Sequence, residues 1–286
     1  VPDGTVVNAI ARDAAGNSSS AASTTVDADA PAAPLINPSN GSSVSGTAEI
    51  GSTITLVYAN NVLIGQATTD SNGKWTFSLI PSLPDGTVIT VVAQDAAGNT
   101  SNSASIVIDS IAPSAPTVLP SNGSSLSGTA EAGSTLIVSL GGVELGRVQA
   151  DINGHWALPL SPALGDGTQP SVVAVDAAGN ASAPTTVTID AVAPAAPTIS
   201  DSNGTVLIGT AEEGSTVILT NGSGTVIGQV TADGSGHWSF TPPVPLPNGT
   251  SVTAVAQDAA GNTGPSASIV VDTTLPNPPV IEPSNG

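Results

Sequence analysis

The chain has 286 residues, 39% of them apolar but only 2% aromatic, with 31 glycines, 24 prolines and neither cysteine nor methionine. Three Lys and Arg face 22 Asp and Glu, a formal net charge of −19 at pH 7, which excludes a basic patch for nucleic acid or for an anionic membrane surface. Disulfides are excluded as well, no run of about 18 apolar residues offers a membrane helix, and the glycines and prolines disfavour helices in general.

Asp-Ala-Ala-Gly-Asn recurs at residues 13–17, 95–99, 176–180 and 258–262, at spacings of 82, 81 and 82. A fixed period of that size marks a repeated small domain and not one large core. Residues 1–28 read as the tail of a repeat, 29–110, 111–191 and 192–273 as complete repeats, and 274–286 as the start of a further one. In that last stretch Pro276, Pro279 and Pro283-Ser284-Asn285-Gly286 align with Pro31, Pro34 and Pro38-Ser39-Asn40-Gly41. The chain opens inside a repeat, at Val1-Pro2-Asp3-Gly4, so it is expected to be part of a longer array.

Within the first complete repeat, turn signals every 8 to 12 residues delimit seven extended segments: 35–37, 43–48, 52–59, 63–68, 75–79, 87–94 and 103–109. Ile54, Leu56 and Tyr58 alternate along the third, and Val88, Thr90 and Val92 against Ile89, Val91 and Ala93 along the sixth, as in the strands of a sandwich. The predicted fold class is all-β: tandem seven-stranded immunoglobulin-like β-sandwiches arranged as an elongated rod. A Val, Ile, Leu and Ala core between two thin sheets suits so few aromatics.

In that topology the loops after the second, fourth and sixth strands share the pole of a repeat where the chain comes in. They carry Glu49, Asp70, and Asp95 with Asn99. The opposite pole carries the Asp-Gly-Thr turn, with Asp85. Asp27, Asp109, Asp190 and Asp272 each lie four residues before the first proline of the next repeat, again 82, 81 and 82 apart. Each junction is therefore expected to gather one acidic group: Asp3, Asp27, Asp95 and Asn99 at the first; Asp85, Asp109, Asp176 and Asn180 at the second; Asp166, Asp190, Asp258 and Asn262 at the third. Glu49 and Asp70, Glu131 and Asp151, Glu212 or Glu213 and Asp233, and Asp272 form an outer set.

Carboxylates that converge without Lys or Arg repel one another, whereas Ca²⁺ takes 6 to 8 oxygen ligands of this kind. Calcium is the expected ion, and zinc is not, because Cys is absent and His155 and His237 stand alone beside Trp. The competing reading is that Asp, Asn and Gly here simply form turns. A bound ion, together with the stiff Pro-Ala-Ala-Pro or Pro-Ser-Ala-Pro linkers, would fix the angle between neighbouring repeats.

Gly-Thr-Ala-Glu, Asn-Gly-His-Trp or Gly-Lys-Trp, Asp-Gly-Thr, Asp-Ala-Ala-Gly-Asn and Asp-x-x-Ala-Pro-x-x-Pro occur in one register over essentially the whole chain. In this the chain resembles the bacterial immunoglobulin-like repeats of giant non-fimbrial adhesins and biofilm-associated surface proteins. The resemblance implies type I secretion, a cell-surface or extracellular location, calcium between repeats, and a part in cell adhesion, biofilm formation and virulence. One departure is Asn248, which replaces the Asp of Asp-Gly-Thr in the last repeat and is expected to weaken any ion site that uses it.

No catalytic set is evident, so the chain is read as a non-enzymatic, monomeric stalk segment whose partners are the neighbouring repeats of the same chain. The alternatives are a module that binds host-cell or matrix glycans or receptors, with Trp75, Trp156 and Trp238 as platforms, or an accessory module of a secreted hydrolase. An exposed Trp156 would favour the first of these, and a buried one the stalk.

Overall fold

A computed structural model describes residues 1–280, and every regular element in it is a strand. The opening segment holds β1 (Val6–Ala9) and β2 (Ala22–Thr25), an antiparallel pair with both strands exposed. The first complete repeat holds β3 (Leu35–Ile36), β4 (Ser43–Thr47), β5 (Thr53–Tyr58), β6 (Leu63–Thr68), β7 (Lys74–Ser78), β8 (Val88–Gln94) and β9 (Ala104–Val107). The second holds β10 (Ser125–Thr129), β11 (Thr135–Leu140), β12 (Val143–Gln149), β13 (His155–Pro159), β14 (Ser171–Val175) and β15 (Thr185–Thr186). The third holds β16 (Leu207–Thr210), β17 (Thr216–Asn221), β18 (Val226–Thr231), β19 (His237–Phe240), β20 (Ser251–Gln257) and β21 (Ala267–Val270).

The first complete repeat has the seven expected strands, in sheets ordered β3-β4-β7 and β6-β5-β8-β9. In the third, β16 pairs with β19 and the other sheet runs β18-β17-β20-β21. There the segment after the prolines still bonds to the following strand, through Thr198 N–H to the Thr210 carbonyl (2.7 Å) and Ser200 N–H to the Ile208 carbonyl (2.9 Å), without forming a regular strand of its own. Thr117 and Leu119 bond in the same way to Thr129 and Ser127.

Two compact units can be distinguished: Val1–Ala115 with Glu131–Thr135 and Ala174–Ala183, and Pro116–Ala130 with Leu136–Val173 and Pro184–Gly286. The core of the first unit is built from Val44, Ile54, Leu56, Ile89, Val91, Ala93 and Trp75. Burial thus selects Ile89, Val91 and Ala93 as the inward face of β8, while Tyr58 at the end of β5 stays only half-buried. In the second unit Leu207, Val217, Leu219, Val252, Ala254 and Trp238 repeat the pattern. Each fully buried Val, Ile or Leu side chain contributes about 1.5–3 kcal/mol of transfer free energy. The restart expected at 274–286 falls partly outside the described residues, since Pro283, Ser284, Asn285 and Gly286 lie beyond them.

Candidate functional site

The Asp-Ala-Ala-Gly-Asn loop folds on itself before it touches anything else. In the copy that starts at Asp95, one carboxylate oxygen accepts the Asn99 backbone N–H (2.9 Å) and the other accepts the Asn99 side-chain amide (2.7 Å), and Gly98 takes φ +96° to close the turn. The copies at Asp176 and Asp258 close in the same way. So does the copy at Asp13. That loop carries its own closing bonds, so its fold does not depend on a preceding repeat. Its Asp13 carboxyl is held below the usual aspartate range first by the Asn17 side chain and then by the Asn17 backbone N–H. At Asp95 burial pushes the carboxyl up, and the Asn99 side-chain and backbone bonds, with the Gly98 and Ala97 N–H groups, together outweigh it and leave it low.

The same asparagine also reaches the linker. Within the first unit Asn99 Nδ2 donates to the Asp27 backbone carbonyl (3.2 Å), and Asn180 Nδ2 donates to that of Asp109 (2.8 Å). Within the second unit Asn262 Nδ2 donates to the Asp190 carbonyl (2.7 Å). From the other side, the carboxylate of the Asp-Gly-Thr turn accepts the next backbone N–H along: Ala28 to Asp3 (2.9 Å), Ser110 to Asp85 (3.1 Å) and Ala191 to Asp166 (3.0 Å). The carbonyl of Asp27 and the N–H of Ala28 belong to one planar peptide group, which points them in opposite directions. One linker peptide is therefore held on both sides at each of three junctions.

Asn248 makes this bond too. Its Oδ1 accepts the Thr273 N–H at 2.9 Å, because an amide oxygen and a carboxylate oxygen are both acceptors. The linker aspartates have further bonds. The Oδ1 atoms of Asp27, Asp109, Asp190 and Asp272 accept the N–H two residues on, and the N–H groups of Asp109, Asp190 and Asp272 donate to the carbonyls of Ser39, Ser121 and Ser202. Sequence reasoning missed these serines, although the recurring Ser-Asn-Gly at Ser39, Ser121 and Ser202 was the available signal.

The outer set is engaged locally. Asp70, Asp151 and Asp233 each accept two backbone N–H groups of their own turn, and the Lys74, His155 and His237 N–H groups respectively are the main reason their carboxyls titrate low. The backbone carbonyls of Glu49, Glu131 and Glu212 bond Ser52, Ser134 and Ser215, and Thr69 Oγ1 also donates to that of Glu49. At Asp272 the Thr274 hydroxyl is the main cause of a lowered value. Among the described residues no group of three or more His, Cys, Asp or Glu is arranged to hold a metal ion. What hydrogen bonds gather at a junction is narrower than the expected constellation: the linker Asp carbonyl, the loop Asp carboxylate and the Asn amide, with the Asp-Gly-Thr carboxylate across the peptide. Their oxygens are of the hard type that calcium takes.

Trp75, Trp156 and Trp238 are 2%, 4% and 3% exposed, so their rings fill the sandwich and offer no sugar platform. An open pocket of about 420 Å³ lies beside Trp238, lined by Thr198, Ser200, Thr210, Asp233 and His237; Asp233 there is already committed to its own turn.

A family model described as a bacterial Ig domain matches residues 30–109, 112–191 and 193–273. The chain belongs to the bacterial Ig domain family. Its three matched bacterial Ig repeats stand in tandem in one chain. No curated protein sequence matches it. Solved structures similar to it include a biofilm-associated protein BSP domain (15% identity, 87% of this chain and 67% of that one, TM-score 0.28). Others are a segment of two fibronectin type III domains from chicken tenascin (19%, 56% and 99%, TM-score 0.24) and native alpha-2-macroglobulin domains from Escherichia coli (14%, 84% and 95%, TM-score 0.24).

Proposed function

We propose that this chain is a structural stalk segment of a bacterial surface or secreted adhesin, non-catalytic, whose repeats hold an adhesive region away from the cell and support adhesion or biofilm formation. The observation that carries the reading is the threefold recurrence of one linker arrangement, with Asn99, Asn180 and Asn262 bonded to the carbonyls of Asp27, Asp109 and Asp190. A stalk is made by repeating one junction. The three Trp rings lie inside their repeats, where a glycan could not stack on them, and that favours the stalk over a sugar-binding module.

Calcium belongs to the same proposal. Asp27, Asp95 and Asn99, and their equivalents Asp109, Asp176 and Asn180 and Asp190, Asp258 and Asn262, would hold it, with Asp3, Asp85 and Asp166 across the linker peptide. The bound ion would supply charge neutralisation to a chain that carries −19 and stiffness to the linker. At a free-ion concentration 10 to 100 times Kd, each site adds about 1–3 kcal/mol. Thermal melts and small-angle scattering with calcium and with EDTA test this. Chelation is expected to lower the melting temperature and increase flexibility, with Asp109→Asn or Asp176→Asn acting alike at one junction. Identical curves in the two conditions would overturn the calcium reading.

A further inference from the structure

We infer that each junction is oriented by a metal-independent clamp on a single linker peptide, in which the loop asparagine serves as a hydrogen-bond donor and the Asp-Gly-Thr side chain as an acceptor. The inference rests on the stalk reading and deepens it by naming the groups that set the joint.

Three features support it. First, the two bonds always fall on the same peptide: the Asp109 carbonyl receives Asn180 Nδ2 and the Ser110 N–H goes to Asp85, and the pattern repeats at Asp27–Ala28 with Asn99 and Asp3, and at Asp190–Ala191 with Asn262 and Asp166. Because the carbonyl and N–H of a trans peptide point opposite ways, the two grips oppose each other, and the peptide cannot rotate about the chain axis without losing both. Second, the element that must act as donor is the side-chain nitrogen. That atom has no lone pair for a cation, and it also bridges to the loop Asp carboxylate at 2.7–2.8 Å. Third, the loop passes close to the preceding repeat. A Cβ on Gly179 would lie 3.9 Å from Asn40 Nδ2, and one on Gly261 would lie 4.0 Å from Asn122 Nδ2. A side chain added at either glycine would thus reach the asparagine of the Pro-Ser-Asn-Gly turn, whose Ser39 and Ser121 carbonyls hold the linker Asp N–H groups.

The Asn248 position separates charge from hydrogen bonding. It keeps the acceptor while lacking the carboxylate, and its bond to the linker N–H is as short as those made by aspartate. An acceptor is what the position requires.

The test uses the full chain, which has no cysteine, with spin labels on Val143→Cys and Val226→Cys, both exposed and both in the second unit. Inter-label distance distributions are recorded in EDTA and in calcium for the parent and for Asn262→Asp, Asp166→Ala and Asp166→Asn, with thermal melts to confirm that the repeats remain folded. Asn262→Asp adds an oxygen ligand and removes the donor; Asp166→Asn removes charge and keeps the acceptor. The expected result in EDTA is a narrow distribution for the parent and Asp166→Asn, and one at least twofold broader for Asn262→Asp and Asp166→Ala. The clamp is overturned if the parent in EDTA is already as broad as those two variants, or if the two variants are as narrow as the parent. A parent that is narrow in EDTA and unchanged by calcium would end the calcium reading and leave the clamp standing. A parent that is broad in EDTA and narrow in calcium would do the reverse.

Discussion

Replacing Gly209 by alanine tests the packing that places each Gly-Thr-Ala-Glu loop. Gly209 lies on β16, opposite Trp238 on β19. A Cβ built there would sit 2.0 Å from the Thr198 carbonyl oxygen and 2.8 Å from Trp238 Cζ2. Neither neighbour can yield cheaply, since the first is backbone that pairs with Thr210 and the second is a ring locked in the core. Overpacking of this kind costs about 1–3 kcal/mol. For a domain of this size 1 kcal/mol lowers the melting temperature by about 4–8 °C, so the third repeat alone should melt earlier. In calorimetry of the intact chain, a fraction of the transition enthalpy near one third should separate towards lower temperature. A thermogram that superimposes on that of the parent would refute the argument that space excludes a side chain here.

Asn248→Ala should cost about 0.5–1.5 kcal/mol in denaturant unfolding, because the Thr273 N–H loses its acceptor, while Asn248→Asp should leave the curve in place; equal effects would show that the bond is not the relevant interaction. Low pH should act through the depressed carboxyls of Asp13, Asp70, Asp95, Asp151 and Asp233. A folded pKa below the unfolded one means that stability is fully present above the ordinary aspartate value of about 3.9 and is lost as pH falls through the lower folded values. Melts in chelator should therefore be flat from pH 7 to 5 and fall steeply below about pH 4; a flat profile down to pH 2 would contradict this. Trp156→Ala should destabilise its repeat by about 3–5 kcal/mol, as expected for a buried ring, and a loss of carbohydrate binding without loss of stability would instead revive the platform reading.

The repeat, its length and its strand signals are visible in the primary structure because each is local. Alternation in β5 and β8, glycine turns at fixed offsets and the recurring Asp-Ala-Ala-Gly-Asn need no partner to be recognised. Which acidic groups would meet was legible only in part. Counting strands and poles puts Asp27 near Asn99 and Asp109 near Asn180, and in the structure the asparagine amide donates to the linker carbonyl in each pair. What each atom does there was beyond the reach of spacing, because Asp and Asn both form turns and both offer acceptor or ligand oxygens, and whether the asparagine NH2 donates depends on the neighbour that is in place.

Asp70 illustrates the difference: its sequence context fits a ligand and a turn equally well, and its carboxylate accepts the N–H groups of Asn72 and Lys74. Gly209 illustrates it again. Its place in a motif was evident, but the reason for glycine there is the approach of the Thr198 carbonyl from another segment, a contact that exists only after the sheet has formed. Sequence by itself determined a tandem all-β chain of acidic repeats joined by proline linkers, since periodicity, composition and charge are additive along the chain. Tertiary structure alone decided that the linker aspartate is held by its backbone carbonyl, that an asparagine nitrogen is the group that reaches it, and that Asn248 can stand in for aspartate. Hydrogen-bond direction depends on the positions of two groups at once, some 70 residues apart in the chain.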